Sequence, residues 1–245
     1  MRMRKTLLWR SVLLGSAVLC LLACGRPALA QAPSTVIPAS REGWWMKLHE
    51  SFLDRAKKGH VDLLFLGDSI TQGWHDNDVW KRFYEPRHAA NFGIGGDQTQ
   101  HVLWRIRHGE LDGIHPRVVV LMIGTNNVGS NSADEIAQGI TAIIKDLRQK
   151  LPETRILLLG VFPRGEKPNP GREKLEEVNR QIRGLDDGSH VTYLDIGKAF
   201  LNPDGSISHE IMPDFLHLTA RGYRIWADAM EPTLWRLLDE PASKK

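Results

Sequence analysis

The stretch Val61-Asp62-Leu63-Leu64-Phe65-Leu66-Gly67-Asp68-Ser69-Ile70-Thr71 decides the fold. An apolar run that ends in glycine and passes at once into small polar residues reads as a buried parallel strand turning tightly into a helix. Runs of the same character cover 118–124, 155–161 and 191–196, and a shorter one at 89–94 is a candidate fifth. Helical periodicity fills the intervals. Ile136, Ile140, Ile143, Leu147 and Leu151 recur every three or four residues behind Ser132-x-x-Glu135, the pattern of a capping box. Leu175, Val178 and Ile182 form a second stripe, and Tyr223, Trp226 and Met230 a third, with Thr219 placed as its N-cap. Strands alternating with helices predict an α/β chain, a parallel sheet covered on both faces, whose ligands bind beyond the C-terminal ends of the strands.

Composition narrows the function classes. The 245 residues carry 32 Lys+Arg against 29 Asp+Glu, with 42% hydrophobic and 25% charged residues, which excludes a disordered, collagenous or coiled-coil chain. The first 30 residues hold Arg2, Arg4, Lys5, Arg10 and Arg26 and no acid, so the net +3 leaves 3 − 5 = −2 on the remainder. A nearly neutral body carries neither a nucleic-acid footprint nor a polybasic membrane patch.

The N-terminus reads as an export signal. Basic residues Arg2 to Arg10 precede an uncharged run from Ser11 to Ala23, too short to span a bilayer. Its end has two readings. Ala28-Leu29-Ala30 before Gln31 is a small-x-small cleavage site, the favoured one because a polar spacer precedes it. Leu21-Leu22-Ala23-Cys24-Gly25 resembles a lipobox, in which Cys24 would carry a lipid anchor. The expected layout is therefore a signal peptide at 1–30, a Pro/Ser/Ala linker at 31–43, a single folded domain at 44–240 and a tail at 241–245, with export to the periplasm or beyond. Both cysteines, Cys20 and Cys24, lie in the first segment. Cleavage after Ala30 leaves no thiol for catalysis, metal binding or a disulfide.

The strand ends carry the chemistry. Ser69 on a strand-to-helix turn would expose its hydroxyl and aim its own N–H at an oxyanion, or would simply cap the helix that follows; Thr71 in the last position rules out a G-x-S-x-G elbow. Gly93-Ile94-Gly95-Gly96-Asp97 lets backbone N–H groups approach a ligand or makes a plain turn, and Gln98 breaks the dinucleotide pattern. Gly124-Thr125-Asn126-Asn127 offers a side-chain amide as an oxyanion donor or an Asx-turn. Gly165-Glu166-Lys167 misses a phosphate loop, whose Lys directly follows the glycine. In Asp214-Phe215-Leu216-His217, a spacing of three puts carboxylate and imidazole on one side of a helical turn, as a catalytic pair, a surface pair or two metal ligands. The other nine histidines form no ligand cluster.

Taken together, GDS (67–69), the glycine run (93–96), GTNN (124–127) and DFLH (214–217) resemble the SGNH/GDSL hydrolase superfamily. The long stretches 91–106, 163–170 and 214–219 are most similar to the α-type catalytic subunits of platelet-activating-factor acetylhydrolase, over roughly Trp44 to Trp235. The resemblance implies a flavodoxin-like three-layer sandwich with five parallel strands. It implies Ser69 as nucleophile, His217 as general base, Asp214 as its orienting acid, and Ser69, Gly96 and Asn126 as the oxyanion hole, with no cofactor and no metal. Ile70 and Leu216 would shape a small acyl pocket. The expected reaction is hydrolysis of acetyl esters, of a carbohydrate or a glycerophospholipid. Trp74, following the nucleophile, is the foremost candidate for a sugar platform among Trp44, Trp45, Trp74 and Trp104; the other reading is core, with Trp104 in an apolar helical stretch and Trp44-Trp45 packing the first helix on the sheet. The α-subunit relatives dimerise, so a homodimer is an open expectation. A lysophospholipase or thioesterase of the same superfamily is the alternative. A metal phosphoesterase using Asp68, Asn126 and His217, and a non-catalytic binding protein, are the other classes.

Overall fold

The structure is a computed structural model and describes residues 31–75 and 77–239. The expected signal peptide, the lipobox cysteine and the tail at 241–245 lie outside these residues. Five strands, β1 (Leu63–Gly67), β2 (Ala89–Gly93), β3 (Val118–Met122), β4 (Arg155–Leu159) and β5 (Val191–Leu194), form one parallel sheet in the order β2-β1-β3-β4-β5. All five predicted runs contain a strand; β1 ends with its run at Gly67, and the other four stop one or two residues short of theirs. β1 and β3 are buried along their whole length, as strands covered on both faces must be.

Helices α1 (Trp44–Lys57), α2 (Ser69–Gln72), α3 (Asp78–Phe83), α4 (Thr99–Arg107), α5 (Ala133–Lys150), α6 (Pro170–Ile182) and α7 (Ala220–Leu237) connect and cover the strands. One layer runs α4 on α5 on α6, joined by α1 through Trp45 against Trp104. The other holds α3 on α7. The predicted capping box is formed: Ser132 Oγ accepts the Glu135 N–H while the Glu135 carboxylate accepts the Ser132 N–H. Thr219 likewise caps α7, accepting the Gly222 N–H. Each such cap contributes about 1 kcal/mol by satisfying amides a helix start leaves bare.

Segment 31–43 is not a free linker. Thr35 is fully buried, donates to the Glu135 carbonyl and accepts from Thr99 Oγ1 through its own carbonyl, so the segment is stitched to α4 and α5. Its Pro/Ser/Ala composition hid the one threonine that anchors it.

Register places the site. Gly67 pairs with Gly93 on one side and Met122 on the other, so β1, β2 and β3 end at one level and their loops emerge side by side. The approach is tight: a Cβ on Gly93 would lie 2.3 Å from the Gln72 nitrogen, so the α2 turn can cross the end of β2 only over a glycine.

Candidate active site

Ser69 is the first residue of α2, and Asp68, not Ser69, is the N-cap: Asp68 Oδ1 accepts the Ile70 N–H at 3.0 Å. The serine is thereby released from a capping role, and its own N–H, in the first turn, has no acceptor within the helix. Ser69 Oγ lies 2.9 Å from His217 Nε2, and His217 Nδ1 lies 2.6 Å from Asp214 Oδ2. Residues 148 positions apart in sequence thus meet in one hydrogen-bonded chain.

Asp214 and His217 do not share a helical turn as the spacing suggested. They occupy the loop ahead of α7, where Asp214 Oδ1 accepts the N–H groups of Leu216 and His217 and Phe215 takes a left-handed φ of 58°. The carboxylate therefore holds both its own loop and the imidazole. Burial pushes the Asp214 carboxyl up, but hydrogen bonds from the His217 ring and from the His217 and Leu216 amides outweigh it and hold the group below its ordinary value. Both side chains remain about half exposed, 45% for His217 and 54% for Asp214.

The glycine loop stands beside the serine. A Cβ on Gly95 would lie 3.8 Å from Ser69 Cβ, and the Gly95 N–H donates to Gln72 Oε1, which ties the loop to the nucleophile's helix. Gly96 follows with φ of 75° and is exposed, a conformation that suits glycine and presents the peptide to solvent. Asn126, in the turn after β3, donates through Nδ2 to the carbonyl of Asp97 at 2.9 Å. Its neighbour Asn127 is fully buried and accepts the Thr99 N–H, setting the start of α4.

The pocket residues fare differently. Trp74 has no exposed surface: it packs among Phe65, Tyr84, Tyr223 and Trp226, so it belongs to the core and offers no sugar platform. Ile70 is likewise buried to 1%, while Leu216 is half-buried. Of the four tryptophans considered, Trp45 is buried and Trp104 half-buried, but Trp44 is 51% exposed, and its Cη2 lies 3.8 Å from the Cβ position of Gly95, beside the nucleophile. Arg41 stacks on its ring at 5.4 Å and donates to the Gly95 carbonyl.

Other supporting residues carried no motif. Asp68 is fully buried, and burial raises its carboxyl to about 7, the Ile70 N–H offsetting part of the rise. Arg164 donates to Thr125, while the buried Arg172 donates to the carbonyls of Arg164 and Gly165. The Gly165 N–H in turn donates to the Phe215 carbonyl. The stretch discarded as a phosphate loop thus buttresses the Asp214–His217 loop. Among the described residues no three His, Cys, Asp or Glu side chains cluster closely enough to hold a metal ion.

A strand-end serine linked through histidine to aspartate, on a five-stranded parallel sheet, defines a hydrolase framework. A model of the GDSL-like Lipase/Acylhydrolase family matches residues 65–225, and the chain belongs to that family of carboxylic ester hydrolases. It is 42% identical over 212 residues to platelet-activating factor acetylhydrolase IB subunit alpha1 of Bos taurus, covering 86% of this chain and 91% of the relative. Among solved structures it is similar to a GDSL-like lipase of Bacteroides thetaiotaomicron, with a TM-score of 0.64 at 19% identity over 77% of this chain and 97% of that one. It is also similar to a catalytic mutant of an acetylxylan esterase of Geobacillus stearothermophilus, with a TM-score of 0.57 at 20% identity over 75% and 96%.

Proposed function

We propose that the enzyme hydrolyses short-chain O-acyl esters, acetyl first, by nucleophilic catalysis at Ser69. The observation that carries this is the unbroken chain Ser69 Oγ, His217 Nε2, His217 Nδ1, Asp214 Oδ2. Asp214, kept ionised, fixes the tautomer in which Nδ1 carries the proton and Nε2 is free to accept one. Ser69 Oγ attacks the ester carbonyl as His217 takes its proton. The tetrahedral oxyanion is held by the N–H groups of Ser69 and Gly96 and by the N–H of Asn126 not bonded to Asp97. His217 then returns the proton to the departing alcohol, and water repeats the sequence on the acyl-enzyme.

The acetyl group is common to the activities named for the bovine relative and the Geobacillus esterase. For the alcohol half the reading favours acetylated carbohydrate over acetyl glycerophospholipid. Its support is Trp44, an exposed indole beside the oxyanion loop that offers a sugar ring an apolar face. Export through residues 1–30 fits such a substrate and belongs to the same proposal. A metal phosphoesterase is disfavoured because both His217 nitrogens are engaged and Asp68 is buried on the Ile70 N–H.

Acetate release tests the reading on a panel of acetylated xylan, pectin, sialic acid and an acetyl ether lipid, alongside p-nitrophenyl esters of increasing chain length. Fastest turnover on acetyl groups and on an acetylated glycan is expected. A preference for long acyl chains or thioesters would move the assignment to a lysophospholipase or thioesterase.

A further inference from the structure

A second polar system lies behind the proposed oxyanion hole and meets it at the Asp97 carbonyl and, through Arg41 between the Asp97 carboxylate and the Gly95 carbonyl, at the glycine loop. Asp97 has no exposed surface, and its carboxylate accepts from Trp45 Nε1 at 2.6 Å and from Arg105 Nε at 2.9 Å. Arg105, also fully buried, pairs through Nη1 with the buried Glu110 and donates through Nη2 to the carbonyl of Gly67 at 3.3 Å. One guanidinium therefore grips both the loop after β2 and the end of β1, two residues before Ser69. The carbonyl of the same Asp97 accepts Asn126 Nδ2 at 2.9 Å.

Burying two carboxylates and a guanidinium is costly, and apolar residues of similar volume usually stabilise a core as well or better. What such a cluster supplies that an apolar core does not is a fixed position. An amide group is planar, so once one Nδ2–H of Asn126 is committed to the Asp97 carbonyl, the direction of the other is set. We propose that Asp97 is a positioning residue for the reaction: its carboxylate, locked by Trp45 and Arg105, holds its carbonyl where Asn126 must be gripped to aim the free N–H at the oxyanion. This rests on the ester-hydrolase reading above and adds to it a residue that touches no substrate. Trp45, from α1, becomes part of the same device, its indole N–H spanning 52 positions of sequence.

The test is a double-mutant cycle on p-nitrophenyl acetate hydrolysis with Asp97→Asn, Asn126→Ala and the pair. Asp97→Asn keeps an acceptor for Trp45 but turns a donor toward Arg105, which shifts the loop. Expected is a kcat loss of about 10–100-fold with KM within about threefold, and a further loss below about threefold when Asn126 is already alanine. Trp45→Phe removes the indole N–H with the five-membered half of the ring and keeps an aromatic side chain, so its stability is measured beside its kinetics. It should lower kcat by about 3–10-fold with the same KM split and the same loss of effect without Asn126. It carries the comparison alone if Asp97→Asn does not fold. Effects that multiply in full with Asn126→Ala, fall on KM, or are absent from kcat would overturn the proposal. A wild-type enzyme inert toward every ester would instead overturn the functional reading on which it stands.

Discussion

The Tyr223 hydroxyl donates to the carbonyl of Ile70 at 2.7 Å, so α7 holds the residue that follows Ser69. The contact is close on all sides, since a Cβ on Gly73 would fall 2.0 Å from the same hydroxyl. α2 spans only four residues, and while the N–H groups of Gly73, Trp74 and His75 take the carbonyls of Ser69, Thr71 and Gln72, that of Ile70 is left to Tyr223. Tyr223→Phe should therefore cost about 1–2 kcal/mol and lower kcat severalfold through a looser nucleophile turn. Urea unfolding beside esterase kinetics checks it; unchanged stability would show that the hydroxyl supports nothing.

Asn126→Ala should lower kcat by about 10²–10³-fold with KM nearly constant, because an oxyanion donor acts in the transition state and little in the ground state. Far-UV circular dichroism should be unchanged. The fold is kept because the buried amide that orders α4 belongs to Asn127, not Asn126.

Asp214→Ala should lower kcat by about 10²–10³-fold, less than for a buried triad acid, since water can reach a carboxylate that is half exposed here. Its pH dependence has a definite sign. A carboxylate held below its ordinary value adds stability that is complete above the unfolded pKa and lost only as pH falls through the lower folded one. Stability from the Asp214–His217 loop should thus persist through mildly acid pH in the wild type and be missing in the variant, as acid unfolding curves would show.

Asp68 gives the opposite slope. Its folded carboxyl is raised by burial from 3.8 to about 7, so the native state binds a proton that the unfolded chain releases. Stability should fall as pH rises from about 4 to 7 and level off above, by on the order of 4 kcal/mol in all. Asp68→Asn keeps an oxygen for the Ile70 N–H and removes the titration. Melting temperatures across this range should slope for the wild type and flatten for the variant.

Trp44→Ala should raise KM for an acetylated xylo-oligosaccharide by about 5–30-fold while leaving p-nitrophenyl acetate within about twofold, since stacking on an exposed aromatic is worth about 1–2 kcal/mol and a small ester has no ring to stack. Equal effects on both substrates would remove the sugar platform from the account.

The fold was legible because burial on both faces of a sheet writes itself as uninterrupted apolar runs such as 118–124, and because Ser132, Glu135 and Thr219 mark their helix starts by side-chain chemistry. Ser69, Asp214 and His217 were legible as residue types at strand ends, yet the local geometry of the last two was not. A spacing of three fits a helical turn as well as the Asx-anchored loop with its left-handed Phe215. Trp74 was misjudged because proximity in sequence to Ser69 does not say which face of the turn its ring takes, and α3 and α7 enclose it in aromatic rings. Trp44, adjacent to the buried Trp45, has no distinguishing signal until α1 is placed. The Asp97–Arg105–Glu110 cluster was invisible for a related reason: single charges in a loop, a helix and a turn read as solvated surface, and only the tertiary fold brings them together and buries them.

The central claim is that Ser69 is a nucleophile activated by His217. Treatment with a fluorophosphonate probe followed by peptide mass spectrometry tests it most directly. One covalent adduct is expected, on Ser69, absent in Ser69→Ala and formed far more slowly in His217→Ala, with esterase activity lost in step with labelling. Full esterase activity in Ser69→Ala, or labelling of another residue in parallel with inactivation, would contradict it.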